Sequence, residues 1–371
     1  MEFSFRIDDT HSIYSPGFVV FYEPLVANLH EMLRIAGDVK RLRPHCKTHK
    51  IREIAEMQVA AGIDKFKCAT FAEAEMLARA GATDIFLAYN LVGPNIERAV
   101  QYVTQYPDVS LLVTADHRSP LEQLSAAMGS AGREIGVLLD LDSGMHRTGR
   151  PADDEALQLY GQVVDLPGVT PAGLHLYDGQ NHQTDLDQRR SAVLDGWQVA
   201  TEFRNQLTGR GWPVPRIVAG GTGSFPIFAE LDDAGLELSP GTPVFFDSGY
   251  AARFPDLNFV PAARILTRVI SCPTPSHICL DLGTKACASD PPMGSRMVIP
   301  DLPEARQVIH NEEHLVLETE LAERYSPGDE LLVIPCHVCP TTALYQHVHV
   351  IREGQLWTTW NVVARDRVLS V

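Results

Sequence analysis

The chain has 371 residues, of which 45% are hydrophobic and 21% charged, as in a globular protein with a sizeable core, and this length favours two domains. Its 47 acidic residues outnumber the 31 basic ones, and the net charge of −16 argues against nucleic acid or an anionic membrane as partner. Seven irregularly spaced cysteines, no secretory leader and no apolar run of membrane-spanning length predict reduced thiols in a cytoplasmic protein.

Short apolar segments and helical patterns alternate along the first 255 residues. The strand pattern of residues 18–22 is followed by a helix that begins at Pro24 and ends at Gly37, and the next short strand is predicted at 41–47. Further strands, each followed by a helix, are predicted at 65–70, 85–89, 110–115, 135–141, 173–177 and 216–219. About eight such units predict an α/β fold, a (β/α)8 TIM-type barrel, with an open doubly wound sheet as the alternative.

The pattern changes after residue 255. Strands separated by turns rich in Pro, Gly and Asp are predicted at 263–271, 278–282, 296–299, 314–320, 330–335 and 345–351. No strong helical pattern interrupts them, which indicates an all-β domain. The predicted organisation is therefore a barrel at 17–255 followed by a C-terminal all-β domain at 256–371.

The segment 43–50, Arg-Pro-His-Cys-Lys-Thr-His-Lys, ends the second predicted strand, where parallel α/β folds place their chemistry. Lys47 can point into the barrel mouth, where desolvation and the other cationic side chains of this segment would lower its pKa. A neutral amine can form a Schiff base with a carbonyl compound. Lys50 is the competing candidate, and a solvated basic loop is the simpler alternative.

Two more strand ends carry polar side chains. The loop after strand 135–141 places Arg147 between two glycines, which would hold a cation facing the pocket. On the strand ending at 177, alternation places His175 and Tyr177 together in the barrel interior, with His182 in the following loop. The alternative is a surface arginine and structural histidines.

Two glycine turns follow the late barrel strands, which is where this architecture usually binds phosphate. Their backbone amides and hydroxyls predict an anion site. The turns are Gly-Gly-Thr-Gly-Ser at 220–224 and Ser-Pro-Gly-Thr at 239–242, and the candidate residues are Gly221, Thr222, Gly223, Gly241 and Thr242.

His337 and Cys339 lie two positions apart after the strand at 330–335. In extended backbone their side chains point the same way, so an imidazole and a thiolate could share a metal such as zinc. Water or substrate oxygens would have to complete the coordination, as at a catalytic metal. A buried cysteine beside a structural histidine is the alternative.

Together these motifs resemble one family over essentially the whole chain. The family is that of the fold-type III pyridoxal-phosphate enzymes, in the branch of D-threonine aldolase and D-serine dehydratase, with alanine racemase as a distant relative. The segments that carry the resemblance are 43–50, 142–149, 177–179 with His182, 221–223 and 337–339.

The resemblance implies that Lys47 holds pyridoxal 5'-phosphate as an internal aldimine. Arg147 would contact the lysine or the phenolic oxygen of the cofactor, and His175 and Tyr177 would line its ring. The phosphate would be held by Gly221, Thr222, Gly223, Gly241 and Thr242.

The resemblance also implies a divalent metal on His337 and Cys339, beside the β-hydroxyl of the substrate. Zinc is expected, with manganese or magnesium as alternatives. Residues 1–16 would join the β-domain, and the protein would form a head-to-tail homodimer in which each β-domain closes the site of its partner.

Two reactions of a D-3-hydroxy amino acid remain open within this family. An aldolase cleaves Cα–Cβ to glycine and an aldehyde, with His182 as the first candidate for the base at the β-hydroxyl. A D-serine or D-3-hydroxyaspartate dehydratase uses Lys47 as the α-proton base and releases a 2-oxo acid and ammonia. The segment 177–182 resembles the aldolases, whereas Cys339 stands where several aldolases carry aspartate and resembles the zinc-dependent dehydratases. We expect the aldolase.

Three other functions are less favoured. An amino-acid racemase would give the metal pair no purpose. A non-catalytic pyridoxal-phosphate-binding protein would lack the β-domain. A generic metal-dependent barrel hydrolase would bind no cofactor.

Overall fold

The computed structural model describes residues 3–370, and the chain folds into two compact units. The β unit comprises the residues up to Met32, Thr48–Arg52 and Thr242–Arg365, and the barrel unit comprises Leu33–Lys47, Glu53–Gly241 and the residues from Asp366. This division differs from the limits 17–255 and 256–371 predicted from the sequence. Within the described part of the chain, no helix combines the length and the apolar character needed to cross a membrane.

Strand β1 (Gly17–Phe21) is fully buried, but it is not the barrel strand predicted at 18–22. It pairs antiparallel with residues 263–266 and parallel with residues 349–351, so it belongs to the β unit. A run of buried apolar residues suits a central strand both in the parallel barrel sheet and in the sheet of the β unit. The apolar pattern alone therefore could not assign β1 to the correct unit. Helix α1 (Tyr22–Ala36) then carries the chain from the β unit into the barrel unit.

The barrel unit contains a parallel sheet of seven strands in sequence order. They are β2 (Lys65–Cys68), β3 (Asp84–Asn90), β4 (Ser110–Ala115), β5 (Ile135–Leu141), β6 (Val169–Leu176), β7 (Ile217–Ala219) and β8 (Leu236–Leu238). The sequence prediction missed β8, which has only three residues. Inward-facing apolar side chains fill the interior; they are Phe86, Leu112, Leu138, Ala172 and Val218.

An extended segment, residues 42–45, closes this sheet into a barrel. On one side, the backbone N–H of Arg43 donates to the carbonyl of Leu238 at 2.8 Å. On the other side, the N–H of Lys67 donates to the carbonyl of Pro44 at 2.9 Å. The predicted (β/α)8 architecture is therefore confirmed, with this closing segment and β2–β8 as its eight β elements.

Helices follow the strands as the sequence pattern predicted. They are α2 (Arg52–Ala60), α3 (Phe71–Arg79), α4 (Pro94–Gln105), α5 (Arg118–Ser130), α6 (Asp154–Asp165), α7 (Leu186–Gly209) and α8 (Phe225–Ala229). Three of them begin after a side-chain cap, in which Thr70, Asp153 or Asp185 accepts a backbone N–H of the first turn.

The β unit contains a nine-stranded sheet that includes β1, with two short helices. Its further elements are α9 (Ser248–Arg253), β9 (Ala263–Thr274), β10 (His277–Leu280), β11 (Met297–Val298), β12 (Arg306–His310), β13 (Leu315–Glu318), β14 (Glu330–Pro335), α10 (Val338–Thr342), β15 (His347–Arg352) and β16 (Gln355–Asn361). The sequence prediction missed β12 and β16, whose residues are mostly polar or exposed. The predicted all-β character of this part is otherwise confirmed.

A buried ion-pair network anchors the closing segment at the start of the barrel strands. The side chain of Arg43 is fully buried, and it donates from Nε to Glu237 at 2.6 Å and from Nη1 to Asp84 at 2.8 Å. Lys65 donates to the second carboxylate oxygen of Glu237 at 2.9 Å. Burial alone would lower the pKa of Arg43, but the two carboxylates outweigh it and raise the pKa. The network therefore ties residues 42–45 to β3 and β8.

Replacing Arg43 by alanine should lower the free energy of unfolding by about 3–5 kcal/mol, because Asp84 and Glu237 would lose their buried cation. Urea denaturation measures this loss. Arg118→Ala is the matched control: its pair with Glu122 is exposed, and about 0–0.5 kcal/mol is expected. Equal losses in the two variants would contradict the anchoring role of Arg43.

Candidate active site

A cavity of about 360 Å³ opens where the barrel strands end, within the usual size range of ligand sites. Three cations line it, Lys47, Lys67 and Arg147, together with the ring of Tyr177 and the imidazole of His175. A larger cavity of about 910 Å³ lies at the opposite ends of the strands, but it contains none of the candidate residues. The smaller cavity is therefore the candidate active site.

Lys47 lies in a single 3-10 turn, Cys46–Thr48, directly after the closing segment. Its backbone N–H donates to Nδ1 of His45 at 3.2 Å, and its Nζ lies 5.9 Å from the ring centroid of Tyr177. Lys50 does not line the cavity and has a left-handed backbone with φ of 54°. The structure therefore favours Lys47 over Lys50 as the reactive amine.

Buried groups surround the turn that carries Lys47. His45, Cys46 and Glu73 bring three potential metal-binding atoms within 4.8 Å of one another. Glu73 accepts the backbone N–H of Ala69 at 2.7 Å, and the thiol of Cys46 lies 3.8 Å from the same carboxylate oxygen. This arrangement braces the turn against the start of α3.

Arg147 stacks on the ring of Tyr177, with Cζ 4.7 Å from the ring centroid. The loop before Arg147 is held by Asp142, which accepts the backbone N–H groups of Gly144 at 2.9 Å and His146 at 3.0 Å. The predicted cation thus faces the cavity on an ordered loop.

Three buried side chains form a hydrogen-bonded chain in the cavity floor. Nδ1 of His175 lies 2.6 Å from Asp140, and Nε2 of His175 lies 2.8 Å from Nζ of Lys67. Burial and the charge of Lys67 lower the pKa of His175, which is therefore neutral. Burial acts to raise the pKa of Asp140, but His175, Thr148 and Lys67 outweigh it and lower that pKa. Asp140 is thus the anion, and it accepts from Nδ1–H of His175.

The first predicted glycine turn lies between β7 and α8. The N–H of Gly221 donates to Oγ of Ser224 at 3.1 Å, and this hydroxyl donates to Asp178 at 2.8 Å. A Cβ on Gly221 would lie 3.4 Å from Cε2 of Tyr177, so the turn packs closely against the cavity wall. Thr222 and Gly223 are buried in the same turn.

The second glycine turn straddles the boundary between the two units. Gly241 follows β8 in the barrel unit, whereas Thr242 is the first residue of the long β-unit segment. Within the β unit, Oγ1 of Thr242 lies 3.7 Å from Sγ of Cys339.

His182 is exposed in the loop that follows β6, and it does not line the cavity. The sequence correctly placed it in this loop. Its role as the base at a β-hydroxyl stays a prediction.

The candidate metal pair lies in the β unit. His337 is the residue before α10, with extended backbone and no side-chain capping hydrogen bond, and Cys339 lies in the first turn of the helix, so the extended backbone assumed from the sequence is wrong for Cys339. The two side chains nevertheless interact, and Nδ1 of His337 lies 2.6 Å from Asp290. Contacts with Cys339 and Asp290 raise the pKa of His337 to about 9.

Buried Asp247 holds this turn in place. It accepts the backbone N–H of Val338 at 3.0 Å and caps α9 by accepting from Tyr250 at 2.9 Å. The N–H of Gly249 donates to the carbonyl of Cys336 at 3.2 Å, and a Cβ there would lie 2.4 Å from that oxygen. Glycine is therefore required where α9 meets the turn.

Lys67, Asp290 and Asp247 were missed by the sequence analysis. Lys67 and Cys68 are neighbours on a predicted strand, where successive side chains point to opposite faces of the sheet. The alternation could therefore have predicted that Lys67 points into the barrel. Asp290 and Asp247 are distant in sequence from the residues they contact, and no local pattern marks them.

Comparison with known families agrees with this geometry. The profile described as the N-terminal domain of alanine racemase matches residues 22–248, and the profile described as a putative serine dehydratase domain matches residues 262–351.

Individual relatives cover nearly the whole chain. A D-threonine aldolase from Arthrobacter sp. is 33% identical over 96% of this chain and 94% of its own length. A D-threo-3-hydroxyaspartate dehydratase from Delftia sp. (strain HT23) is 25% identical over 95% of this chain and 98% of its own.

Solved structures of related proteins have the same fold. The crystal structure of D-threonine aldolase from Filomicrobium marinum superposes with a TM-score of 0.89, at 29% identity, covering 96% of this chain and 97% of that one. Structures of D-threo-3-hydroxyaspartate dehydratase include a cysteine-to-alanine variant in its metal-free form, with a TM-score of 0.84 at 22% identity over 94% of this chain and 97% of that one. A histidine-to-alanine variant also gives a TM-score of 0.84, at 23% identity over 96% of each chain.

The two profile matches and the full-length similarity at 33% identity confirm the resemblance found in the sequence. The chain belongs to the alanine racemase-like family of pyridoxal-phosphate-dependent lyases that includes the D-threonine aldolases and the D-serine dehydratases.

Proposed function

We propose that this chain is a pyridoxal-phosphate- and divalent-metal-dependent aldolase, which cleaves D-3-hydroxy amino acids such as D-threonine to glycine and an aldehyde. The observation that carries the proposal is the 33% identity to a D-threonine aldolase over nearly the whole chain. The placement of Lys47 in the barrel cavity, beside Arg147 and Tyr177, supports it.

The cavity suits pyridoxal phosphate in shape and charge. Tyr177 offers a ring face, and the cations Lys47, Lys67 and Arg147 surround it. The absence of a side chain at Gly221 keeps this wall of the cavity open, since a Cβ there would lie 3.4 Å from the ring of Tyr177. Such a site fits a flat, anionic ligand that carries a carbonyl group.

Lys47 would hold the cofactor covalently, and the glycine turns would hold its phosphate. Bound there, the cofactor supplies a sink for the electrons released when a bond at Cα breaks. Arg147 and Tyr177 would orient the ring, while the neutral imidazole of His175, fixed by Asp140, would line it. His182 is proposed as the base that removes the proton of the β-hydroxyl.

The donor set of His337 and Cys339 suits a zinc ion. Imidazole and thiolate are preferred zinc ligands, and the hydrogen bond between the two side chains supports their sharing one ion. In the related dehydratase, the histidine and the cysteine replaced in the two variant structures are likewise two positions apart, and the cysteine variant is metal-free. The metal would lower the pKa of the β-hydroxyl of the substrate.

A dehydratase is the second candidate. Its specific support is Cys339, which stands where several aldolases carry aspartate, and the 25% identity to D-threo-3-hydroxyaspartate dehydratase. In that reaction Lys47 would remove the α-proton, and hydroxide would leave from Cβ.

Product analysis distinguishes the two reactions. The protein is incubated with D-threonine, pyridoxal phosphate and zinc or manganese, with L-threonine as the control substrate. We expect acetaldehyde and glycine from the D-isomer only. Formation of 2-oxobutanoate and ammonia would contradict the aldolase proposal and support the dehydratase. If neither pair of products forms although the cofactor is bound, D-threonine is not a substrate.

Replacing Lys47 by alanine should abolish the visible absorbance of the covalently bound cofactor, because no other amine is predicted to form this bond. Absorbance spectroscopy after gel filtration measures it. Lys50→Ala is the matched control and should retain the band. An unchanged spectrum of Lys47→Ala, with loss in Lys50→Ala, would move the assignment to Lys50.

Alanine at His337 or Cys339 should remove the metal and the activity, while the cofactor stays bound. Asp290→Ala should weaken metal binding about 10- to 100-fold, since a carboxylate that is hydrogen-bonded to a ligating imidazole fixes the orientation of that imidazole. Metal content after dialysis against a graded chelator measures both effects. Glu304→Ala, at an exposed carboxylate of the same unit, is the control. Metal retention by Cys339→Ala would contradict the assignment of the pair.

Assembly and location are further proposals. We propose a homodimer with no nucleic-acid or membrane partner, tested by sedimentation at several protein concentrations. A cytoplasmic location is supported by the seven cysteines, none of which forms a disulfide within residues 3–370.

A further inference from the structure

Lys67 is a buried cation of the cavity to which the mechanism above gives no role. It lies on β2, is 4% exposed, and its Nζ contacts Nε2 of His175 at 2.8 Å. Among residues 3–370, no carboxylate oxygen lies within ion-pair distance of this nitrogen. In its protonated form Lys67 is therefore a buried charge without an ion-pair partner among the described residues.

An unpaired charge is costly to bury, because the interior replaces little of the solvation that water provides. The ring faces of Phe86 and Tyr177, 5.8 and 5.5 Å from Nζ, offset only a small part of this cost. Such an arrangement is typical of functional sites, where a ligand supplies the missing charge.

The hydrogen bonds of His175 determine how many N–H donors of Lys67 remain for a ligand in the cavity. Asp140 accepts from Nδ1–H of His175, so Nε2 is an acceptor and the amine of Lys67 donates to it. An ammonium group has three N–H donors. Two of them remain for a ligand, in a cavity that Lys67 lines.

Charged groups on several elements act on Lys67. The titratable groups that face it are Lys47, Arg147, Asp140, Asp178, His175 and Tyr177. Burial and the charge of Lys47 are the strongest influences and lower the pKa of Lys67 to about 7, although Asp140 and Asp178 oppose the shift. An anion bound beside the amine would restore its proton.

We propose that Lys67 is a cofactor-binding residue, which supplies charge and hydrogen bonds to the anionic ring oxygen of pyridoxal phosphate; this inference rests on the function proposed above. The ring oxygen is favoured over the phosphate because of where Lys67 lies. Lys67, Lys47 and Arg147 all lie near the ring of Tyr177, which is proposed to line the ring of the cofactor. The glycine turn that suits the phosphate follows β7, which is separated from β2 by β8 and the closing segment.

The test is a titration of the apoprotein with pyridoxal phosphate at pH 8, followed by absorbance and by calorimetry in two buffers of different ionisation enthalpy. Lys67→Met should bind the cofactor about 10- to 100-fold more weakly, as expected for the loss of a hydrogen bond to a charged group. It should also take up fewer protons on binding, by up to about one per site, because Lys67 is recharged only in the wild type.

Lys67→Arg and Lys65→Met are the matched controls. The first keeps a cation at this position, so its affinity should stay close to that of the wild type, whereas its proton uptake should fall as in Lys67→Met because arginine is protonated before binding. The second makes the same substitution on the same face of β2, where Lys65 binds Glu237 away from the cavity. Thermal unfolding of each apoprotein shows whether the variants are folded.

Each outcome bears on a defined claim. Wild-type affinity and proton uptake in folded Lys67→Met would overturn the inference alone. A loss of affinity for pyridoxal phosphate that disappears with pyridoxal, which lacks the phosphate, would assign Lys67 to the phosphate and overturn the ring-oxygen role. If the wild type binds no cofactor, the proposed function fails together with the inference.

Discussion

The buried ion pairs of Arg43 are the constraint on which the barrel depends. They hold the closing segment 42–45 between β8 and β2, where it completes the sheet through backbone hydrogen bonds to both neighbours. Lys47 follows this segment directly, in the turn at the opposite ends of the strands. The same short stretch therefore anchors the barrel at one end and presents the proposed reactive amine at the other, and an error in its register would misplace Lys47.

Charge in the cavity is arranged for an anionic ligand. Among the side chains that line the cavity, the basic groups of Lys47, Lys67 and Arg147 outnumber the carboxylate of Asp140, whose hydrogen-bond partner His175 is neutral. This excess exists although the chain as a whole is strongly acidic, with a net charge of −16. A low-dielectric site strengthens the attraction between such cations and a bound anion, and the acidic exterior does not cancel it.

The proposed metal pair, His337 and Cys339, is held by buried and polar side chains of the β unit. Asp247 fixes the turn through the backbone of Val338, and Asp290 contacts the imidazole of His337. Within the β unit, Oγ1 of Thr48 also lies 3.2 Å from Sγ of Cys339. Whether the chain cleaves Cα–Cβ or eliminates the β-hydroxyl then depends on which proton a base removes, at the hydroxyl for the aldolase or at Cα for the dehydratase.

The sequence by itself determined the alternating β/α pattern, the all-β character of the last third, and the motifs at Lys47, Arg147 and His337, because period and local motif are properties of neighbouring residues. It misassigned 18–22 to the barrel, since an apolar strand does not encode its partners. Only the tertiary structure decided that residues 42–45 close the sheet, and that Lys67 meets His175. Those pairings join residues far apart in the chain, where buried charge and backbone hydrogen bonds, rather than local pattern, select the partner.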